Sequence, residues 1–314
     1  MLTTDDHRRD SAGLMYVYPV VSRRAGGVSV GINLNTNNAC NWACLYCQVE
    51  GLTRGGPPPI DLDRLETELA GFLEDALHGD FMVRHVAPEA RRLMDVAFSG
   101  NGEPTSAPEF AQAVERVGLV LARFGLSGKL PVRLITNGSL LFRPEVQRGI
   151  RMLGEIGGEV WFKLDRAQAD DVAEVNVVPV QIDKVARHLE ICAGLAPTWV
   201  QTCWFALDGQ PPGVAAEDAY CDLLKPLAGQ LSGIHLYGLA RPSMQVAAPR
   251  LTRLPPEALA AFGEKIEKKQ ASGYWFPRDA CGFAENCPEV CSFGAGLMLR
   301  RLSWRGCGLI SSAT

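Results

Sequence analysis

Apolar positions follow two different periods along most of this chain. Short runs rich in β-branched and aromatic residues, over 28–34, 94–99, 131–136, 159–164, 198–205 and 233–239, read as strands. Between them lie longer stretches in which apolar residues recur every three or four positions, the helical period. The first of these, 61–77, shows it in Leu62, Leu65, Leu69, Phe72 and Leu73. Others span 108–124, 144–153, 182–193, 217–228 and 257–269, punctuated by Pro57, Pro58 and Pro59 before the first helix and by Gly125 after the second. Six strand–helix units in succession predict parallel strands with helical crossovers, and an open α/β barrel, a partial TIM-like (β/α)6 arrangement, is the simplest result. In such barrels chemistry gathers at the carboxyl ends of the strands. The expected organisation is an N-terminal extension over 1–27, the barrel over 28–270, and an atypical cysteine-containing tail or small appendage over 271–314.

Composition narrows the setting. The chain has 314 residues, 47% hydrophobic and 21% charged, enough for one sizeable core. No apolar run is long enough to cross a bilayer, and the opening MLTTDDHRRD has no signal-peptide core. A cytoplasmic location without membrane association is therefore expected. Ten cysteines in that setting argue for metal and thiol chemistry rather than a disulfide framework. The net charge of −4 gives no global pull toward nucleic acid, since phosphate binding usually leaves a basic footprint.

The first strand runs into GINLNTNNACNWACLYCQVEG, where Cys40, Cys44 and Cys47 form a Cys-x3-Cys-x2-Cys cluster with Tyr46 before the last thiol. Three thiolates this close point to a metal. They can hold a four-iron four-sulfur cluster and leave one iron open, whereas structural zinc sites favour Cys-x2-Cys pairs and a fourth ligand nearby. The second strand ends in Ser99-Gly100-Asn101-Gly102-Glu103-Pro104-Thr105, a turn that brings backbone close to a ligand and offers the Glu103 carboxylate to an ammonium. The third ends in Thr136-Asn137-Gly138-Ser139, either ligand-binding polar groups or a capped turn, because Asn-Gly favours turns by itself. In Trp161-Phe162-Lys163-Leu164-Asp165 the two charged residues share one strand face. Inside a barrel they would make a buried pair of functional interest.

The cysteine spacing with its aromatic resembles the signature of the radical S-adenosylmethionine (SAM) superfamily, and GNGEP resembles that family's Gly-Gly-Glu-Pro segment with Asn101 in place of a glycine. The resemblance implies a four-iron four-sulfur cluster on Cys40, Cys44 and Cys47, with Tyr46, Gly100, Asn101, Gly102, Glu103, Pro104, Thr136, Asn137 and Ser139 around SAM, while Lys163 and Asp165 are catalytic candidates on their shared strand face alone. It also implies an external reductant such as flavodoxin or ferredoxin, and reductive cleavage of SAM to methionine and a 5'-deoxyadenosyl radical that abstracts hydrogen from a substrate. In wording the motifs are most similar to the 4-demethylwyosine synthase-related group, which modifies tRNA. This chain differs from it in lacking an upstream cysteine set, a flavodoxin-like domain and a basic charge. RNA, protein and small molecules all stay open as substrates. A glycyl-radical enzyme activase and a non-catalytic iron–sulfur or zinc module are the alternatives. Cys281, Cys287, Cys291 and Cys307 either bind a second cluster or remain free thiols, and the irregular spacing fits free thiols better.

Overall fold

The computed structural model describes residues 2, 13–22, 26–269, 274–275 and 297–301. Its main sheet contains β1 (Val17–Ser22), β2 (Gly27–Ile32), β3 (Leu93–Phe98), β4 (Val132–Thr136), β5 (Glu159–Lys163), β6 (Thr198–Cys203), β7 (Gly233–Tyr237), β8 (Tyr274–Trp275) and β9 (Leu297–Arg301). Strands β2 to β7 lie side by side in chain order and all run parallel. Antiparallel strands flank them, β1 on β2 at one edge and β9 on β7 at the other. The principal helices are α1 (Leu62–Leu77), α2 (Phe110–Arg123), α3 (Pro144–Glu155), α4 (Ala169–Val175), α5 (Ile182–Leu195), α6 (Val214–Leu224) and α7 (Pro256–Lys269). The fold is thus mixed α/β with a mainly parallel sheet. Among the described residues no helix is long and apolar enough to cross a membrane.

The register assigns the two sheet faces opposite characters. One carries Val30, Ile32, Val96, Phe98, Val132, Leu134, Val160, Phe162, Val200, Ile234 and Leu236, all buried in one core with Val114, Val117, Ile150, Leu153, Leu189 and Phe262 of the helices. Removing that apolar surface from water is the main stabilising contribution. The other face is polar and aromatic. Near the amino ends of the strands, Arg133 pairs with Asp95 and, at 2.7 Å, with Glu159, while Ser29 also donates to Asp95. Trp161 and Trp199 donate their indole N–H groups to Glu159 at 3.1 and 3.0 Å, and His235 stacks on Trp199 with ring centres 4.7 Å apart. This lattice occupies that end of the face and leaves the carboxyl ends for the loops.

Two findings extend the sequence reading. The stretch expected to be an extension supplies β1, and its entry is pinned by Glu68 of α1, whose carboxylate accepts from the backbone of Met15, Tyr16 and Val17 and from Arg64 Nε at 2.8 Å. Within 271–314, two short segments join the sheet as β8 and β9, while Cys281, Cys287, Cys291 and Cys307 lie outside the described residues. Burial alone would raise the Glu68 pKa, but the backbone donors and Arg64 outweigh it and hold the carboxyl below its ordinary value of 4.5. Its stabilisation is therefore complete above that value and is lost as pH falls through the lowered one. Glu68→Gln is expected to cost roughly 2 kcal/mol at neutral pH and to flatten the acid limb of a stability-versus-pH curve followed by urea unfolding. An unchanged acid limb would contradict the assignment.

Candidate functional site

Every loop singled out in the sequence emerges at the carboxyl edge of β2 to β5, and asparagine side chains tie these loops together. After β2 the chain turns through Asn33 and Asn35 into the cysteine loop. Asn33 Oδ1 accepts from the backbone of Asn35 and of Asn101, each at 3.1 Å. Asn101, standing where the resembled motif has glycine, donates to Asn38 Oδ1 at 2.6 Å. Asn41, next to Cys40, donates to Ser139 Oγ at 2.8 Å and accepts from Asn137 Nδ2 at 2.9 Å. Amides suit this task because each both donates and accepts. Gly100 sits at φ +140°, and a Cβ there would collide with Asn33. Gly138 (φ +68°) turns directly over the Phe162 ring, which leaves no room for a side chain.

Glu103 is buried and binds the second and third loops together. Its Oε1 accepts from Thr105 N at 3.1 Å and from the hydroxyls of Thr105 and Thr136, each at 2.6 Å, and its Oε2 accepts from Asn137 N at 2.7 Å. Burial raises its pKa, with these donors opposing. Oε2 has one protein donor and so keeps capacity for another. Asn137 in turn accepts from Ser139 N and Oγ at 3.0 and 2.7 Å. Thr136-Asn137-Gly138-Ser139 is thus a capped turn, with Thr136 and Asn137 accepting from the backbone of Gly138 and Ser139.

Cys40, Cys44 and Cys47 are partly buried free thiols. Burial pushes Cys40 up to about 11 and Cys44 up to about 12, and Cys47 opposes ionisation of both. Thiols that resist ionisation when buried lose their protons to a cationic centre, because the thiolate is the metal ligand. Among the described residues no three His, Cys, Asp or Glu side chains converge on a single ion. Cluster thiolates bind separate irons, and three cysteine sulfurs in one loop are a donor set that fits such a cluster. N–H donors already face two of the sulfurs, Trp42 N to Cys40 at 3.5 Å and Asn176 Nδ2 to Cys44 at 3.2 Å.

The loop is gripped from two sides. The end of α4 accepts Ala43 N on Asn176 O at 3.3 Å and Leu45 N on Val175 O at 2.9 Å. Opposite, Ser243 Oγ donates to Leu45 O at 2.6 Å, Met244 N donates to Cys47 O at 3.0 Å, and Gln245 Nε2 donates to Val49 O at 2.7 Å.

Beside it lies the charged pair. Lys163 Nζ is 3.4 Å from Asp165 Oδ1, 3.0 Å from the Tyr237 hydroxyl and 4.9 Å from the centre of the Tyr46 ring. Burial would lower the Lys163 pKa, but Asp165, Tyr237 and Cys203 outweigh it, so the ammonium stays charged. Asp165 also accepts from Tyr46 Oη at 2.5 Å, Asn176 Nδ2 at 3.0 Å and Cys203 N at 2.8 Å. Gln201 is in register with Lys163, and its Oε1 is buried without a hydrogen-bond partner among the described residues. Sequence reading missed Arg166, whose buried guanidinium lies 4.4 Å from the Trp204 ring and donates to the carbonyls of Asp165, Cys203 and Phe205. It also missed Asn176. An isolated asparagine in a loop carries no periodic or motif signal.

No protein-family model matches the chain. Among curated proteins, 131 residues (41% of the chain) are 25% identical to part of the GTPase Obg of Brachyspira hyodysenteriae, covering 16% of that protein. A stretch of 170 residues (50% of the chain) is 27% identical to the UPF0026 protein MJ1312 of Methanocaldococcus jannaschii, covering 45% of it. The chain thus spans less than half the length of either relative. It contains no Gly-x4-Gly-Lys-Ser/Thr phosphate loop, so the first likeness does not bring a nucleotide-binding motif with it. Among solved structures, TYW1 with a lysine-pyruvate adduct bound aligns with a TM-score of 0.57 at 13% identity, over 90% of this chain and 81% of that one. Streptococcus suis SuiB bound to S-adenosylmethionine aligns at 0.50 and 10% identity, over 78% and 44% of the two chains. A radical SAM methyltransferase from Sphaerobacter thermophilus aligns at 0.50 and 15% identity, over 81% and 66%. The chain shares the fold of radical SAM proteins.

Proposed function

We propose that this protein is a radical SAM enzyme, its parallel sheet curling into a partial (β/α)6 barrel whose polar face receives the substrate. The observation that carries the reading is the union, on one edge of the sheet, of a three-thiolate loop with a buried carboxylate turn through Asn33, Asn41, Asn101 and Asn137. Cys40, Cys44 and Cys47 would hold a four-iron four-sulfur cluster. Such a cluster, given one electron by an external reductant such as flavodoxin or ferredoxin, supplies reductive cleavage of SAM to methionine and a 5'-deoxyadenosyl radical.

In this reading the chain's residues bind, orient and shield. Glu103 Oε2 would accept the methionyl ammonium, a charge-assisted bond in a buried setting. Gly100 and Gly102 let this turn close on the cysteine loop, where a Cβ would meet Asn33 and Ala39 O, so that the turn, shaped by Asn101 and Pro104, would sit beside the same ligand. Thr136, Asn137 and Ser139 would hold its polar groups. Tyr46 is oriented by Asp165, and its ring would stack beside the nucleoside. Lys163 and Asp165 would line the substrate chamber. In this reading Lys163, paired with Asp165 and bonded to the Tyr237 hydroxyl, anchors an anionic group of the substrate. A reducing, cytoplasmic setting belongs to the same reading.

The test is anaerobic reconstitution with iron and sulfide, then dithionite and SAM, with 5'-deoxyadenosine detected by mass spectrometry. Its formation is the expected result. A zinc-loaded protein that forms none would overturn the reading in favour of a binding module. Offering tRNA, protein and small-molecule candidates in turn, and following deuterium transfer into 5'-deoxyadenosine, then identifies the substrate class and separates this reading from a glycyl-radical activase.

A further inference from the structure

We infer that Asn176 is a positioning residue that sets how readily the centre held by Cys44 accepts an electron and links that centre to the Tyr46–Asp165–Lys163 group. The inference rests on the function proposed above.

Asn176 is 1% exposed and caps α4. Its carboxamide nitrogen is 3.0 Å from Asp165 Oδ2 and 3.2 Å from Cys44 Sγ. The chemistry of its partner determines which end of the amide is the nitrogen. The Asp165 carboxylate is paired with Lys163 and accepts from Cys203 N, so the atom facing it is the N–H end. One N–H then goes to Asp165, and the other, on the same nitrogen, points at the sulfur.

The backbone rules out a chance contact. Val175 O and Asn176 O accept Leu45 N and Ala43 N, the residues on either side of Cys44. The thiol is thus held against the end of α4 by two main-chain bonds and addressed by one side-chain bond. A donor to a ligating sulfur stabilises the more negative, reduced state, and hydrogen bonds to the sulfurs are among the recognised determinants of iron–sulfur potentials. Because Asn176 is neutral, it does so without adding a charge to a site that already holds Asp165 and Lys163. Through Asp165 the same amide is one bond from the Tyr46 hydroxyl and from the Lys163 ammonium. A substrate group drawing Lys163 away from Asp165 would alter the acceptor that orients Asn176, and so reach the sulfur.

The experiment is an EPR-monitored redox titration of the reconstituted protein without SAM, comparing wild type with Asn176→Leu and the smaller Asn176→Ala. Iron and sulfide are counted in each. With wild-type cluster content, both variants should be harder to reduce, the reduced-to-oxidised ratio at a given poise falling about tenfold, which is about 59 mV for a one-electron couple. Unchanged potentials in variants with full iron content would overturn the inference and leave the proposed function standing. Wild-type protein that takes up no cluster would overturn both. Should Asn176→Leu fail to fold, Asn176→Ala gives the same reading, because it removes the amide without adding bulk.

Discussion

Cys44→Ala is expected to abolish both cluster retention and 5'-deoxyadenosine formation while leaving the fold in place. Cys44 belongs to no core cluster of the sheet and helices, and the main-chain bonds that hold its loop, from Ala43 N, Leu45 N and Met244 N, do not involve its side chain. What the substitution removes is a thiolate and the acceptor of the Asn176 amide. Leaving that one buried donor unmet costs about 1–3 kcal/mol, a shift of a few degrees in a thermal melt. Iron and sulfide content, the visible absorption of the reconstituted protein and circular dichroism on heating are the measurements. A variant that keeps iron and cleaves SAM would remove Cys44 from the centre. A variant that unfolds would mean that the loop is structural first.

Glu103→Ala has the second large effect, and on two readouts. In the folded protein the carboxylate meets Thr105 N, Thr105 Oγ1, Thr136 Oγ1 and Asn137 N. Truncation leaves two buried backbone N–H groups without an acceptor, at about 1–3 kcal/mol each. It also releases the third loop from the second. SAM affinity, measured by equilibrium dialysis, should fall about tenfold to a hundredfold, the equivalent of one charge-assisted bond of about 1.5–3 kcal/mol. Glu103→Gln separates the effects. It keeps the shape, so it should lose affinity with a smaller loss of stability. The pH dependence has a definite sign. Burial raises the Glu103 pKa above its ordinary value of 4.5, so the folded state binds this proton more tightly than the unfolded state. The Glu103 contribution to stability then declines as pH rises from 4.5 through the raised value, and Glu103→Gln should remove that decline.

The six parallel strands were legible in the sequence because both faces of each are buried or lined, so their apolar and aromatic runs stand out against the helical period between them. The edge strand β1 was not. Val17–Ser22 carries Pro19, which argues against a strand and outweighs the turn signal of Gly26-Gly27, and the chain's entry into it is held by Glu68, some fifty residues away. The site was legible as three loops and illegible as one object. Asn33, Asn38 and Asn41 stood in the cysteine segment, and Asn101 and Asn137 in theirs, but their pairings bridge sixty to a hundred positions. A single sequence contains no record of which amide meets which. Lys163 and Asp165 were readable from strand alternation, and they meet at 3.4 Å. The short helix α4 was invisible, since seven residues with Asp170, Asp171 and Glu174 show little apolar period, and Asn176 was hidden with it.

Two of the amides that join the loops precede a glycine, Asn101 before Gly102 and Asn137 before Gly138. In a flexible chain such a step is chemically short-lived. The glycine nitrogen attacks the side-chain carbonyl, ammonia leaves, and water opens the resulting ring to aspartate or isoaspartate. Here Gly138 N is engaged by Thr136 Oγ1 at 3.0 Å, and the Asn137 oxygen is held by Ser139. Asn101 is tethered at both ends, its backbone N–H by Asn33 and its amide by Asn38. The folded loops therefore act as a preservative for their own fasteners. A protein stored with these loops open would age from this site outward, each event placing a new negative charge beside Glu103, and peptide mapping for isoaspartate at 101 and 137 would report how long they had been open.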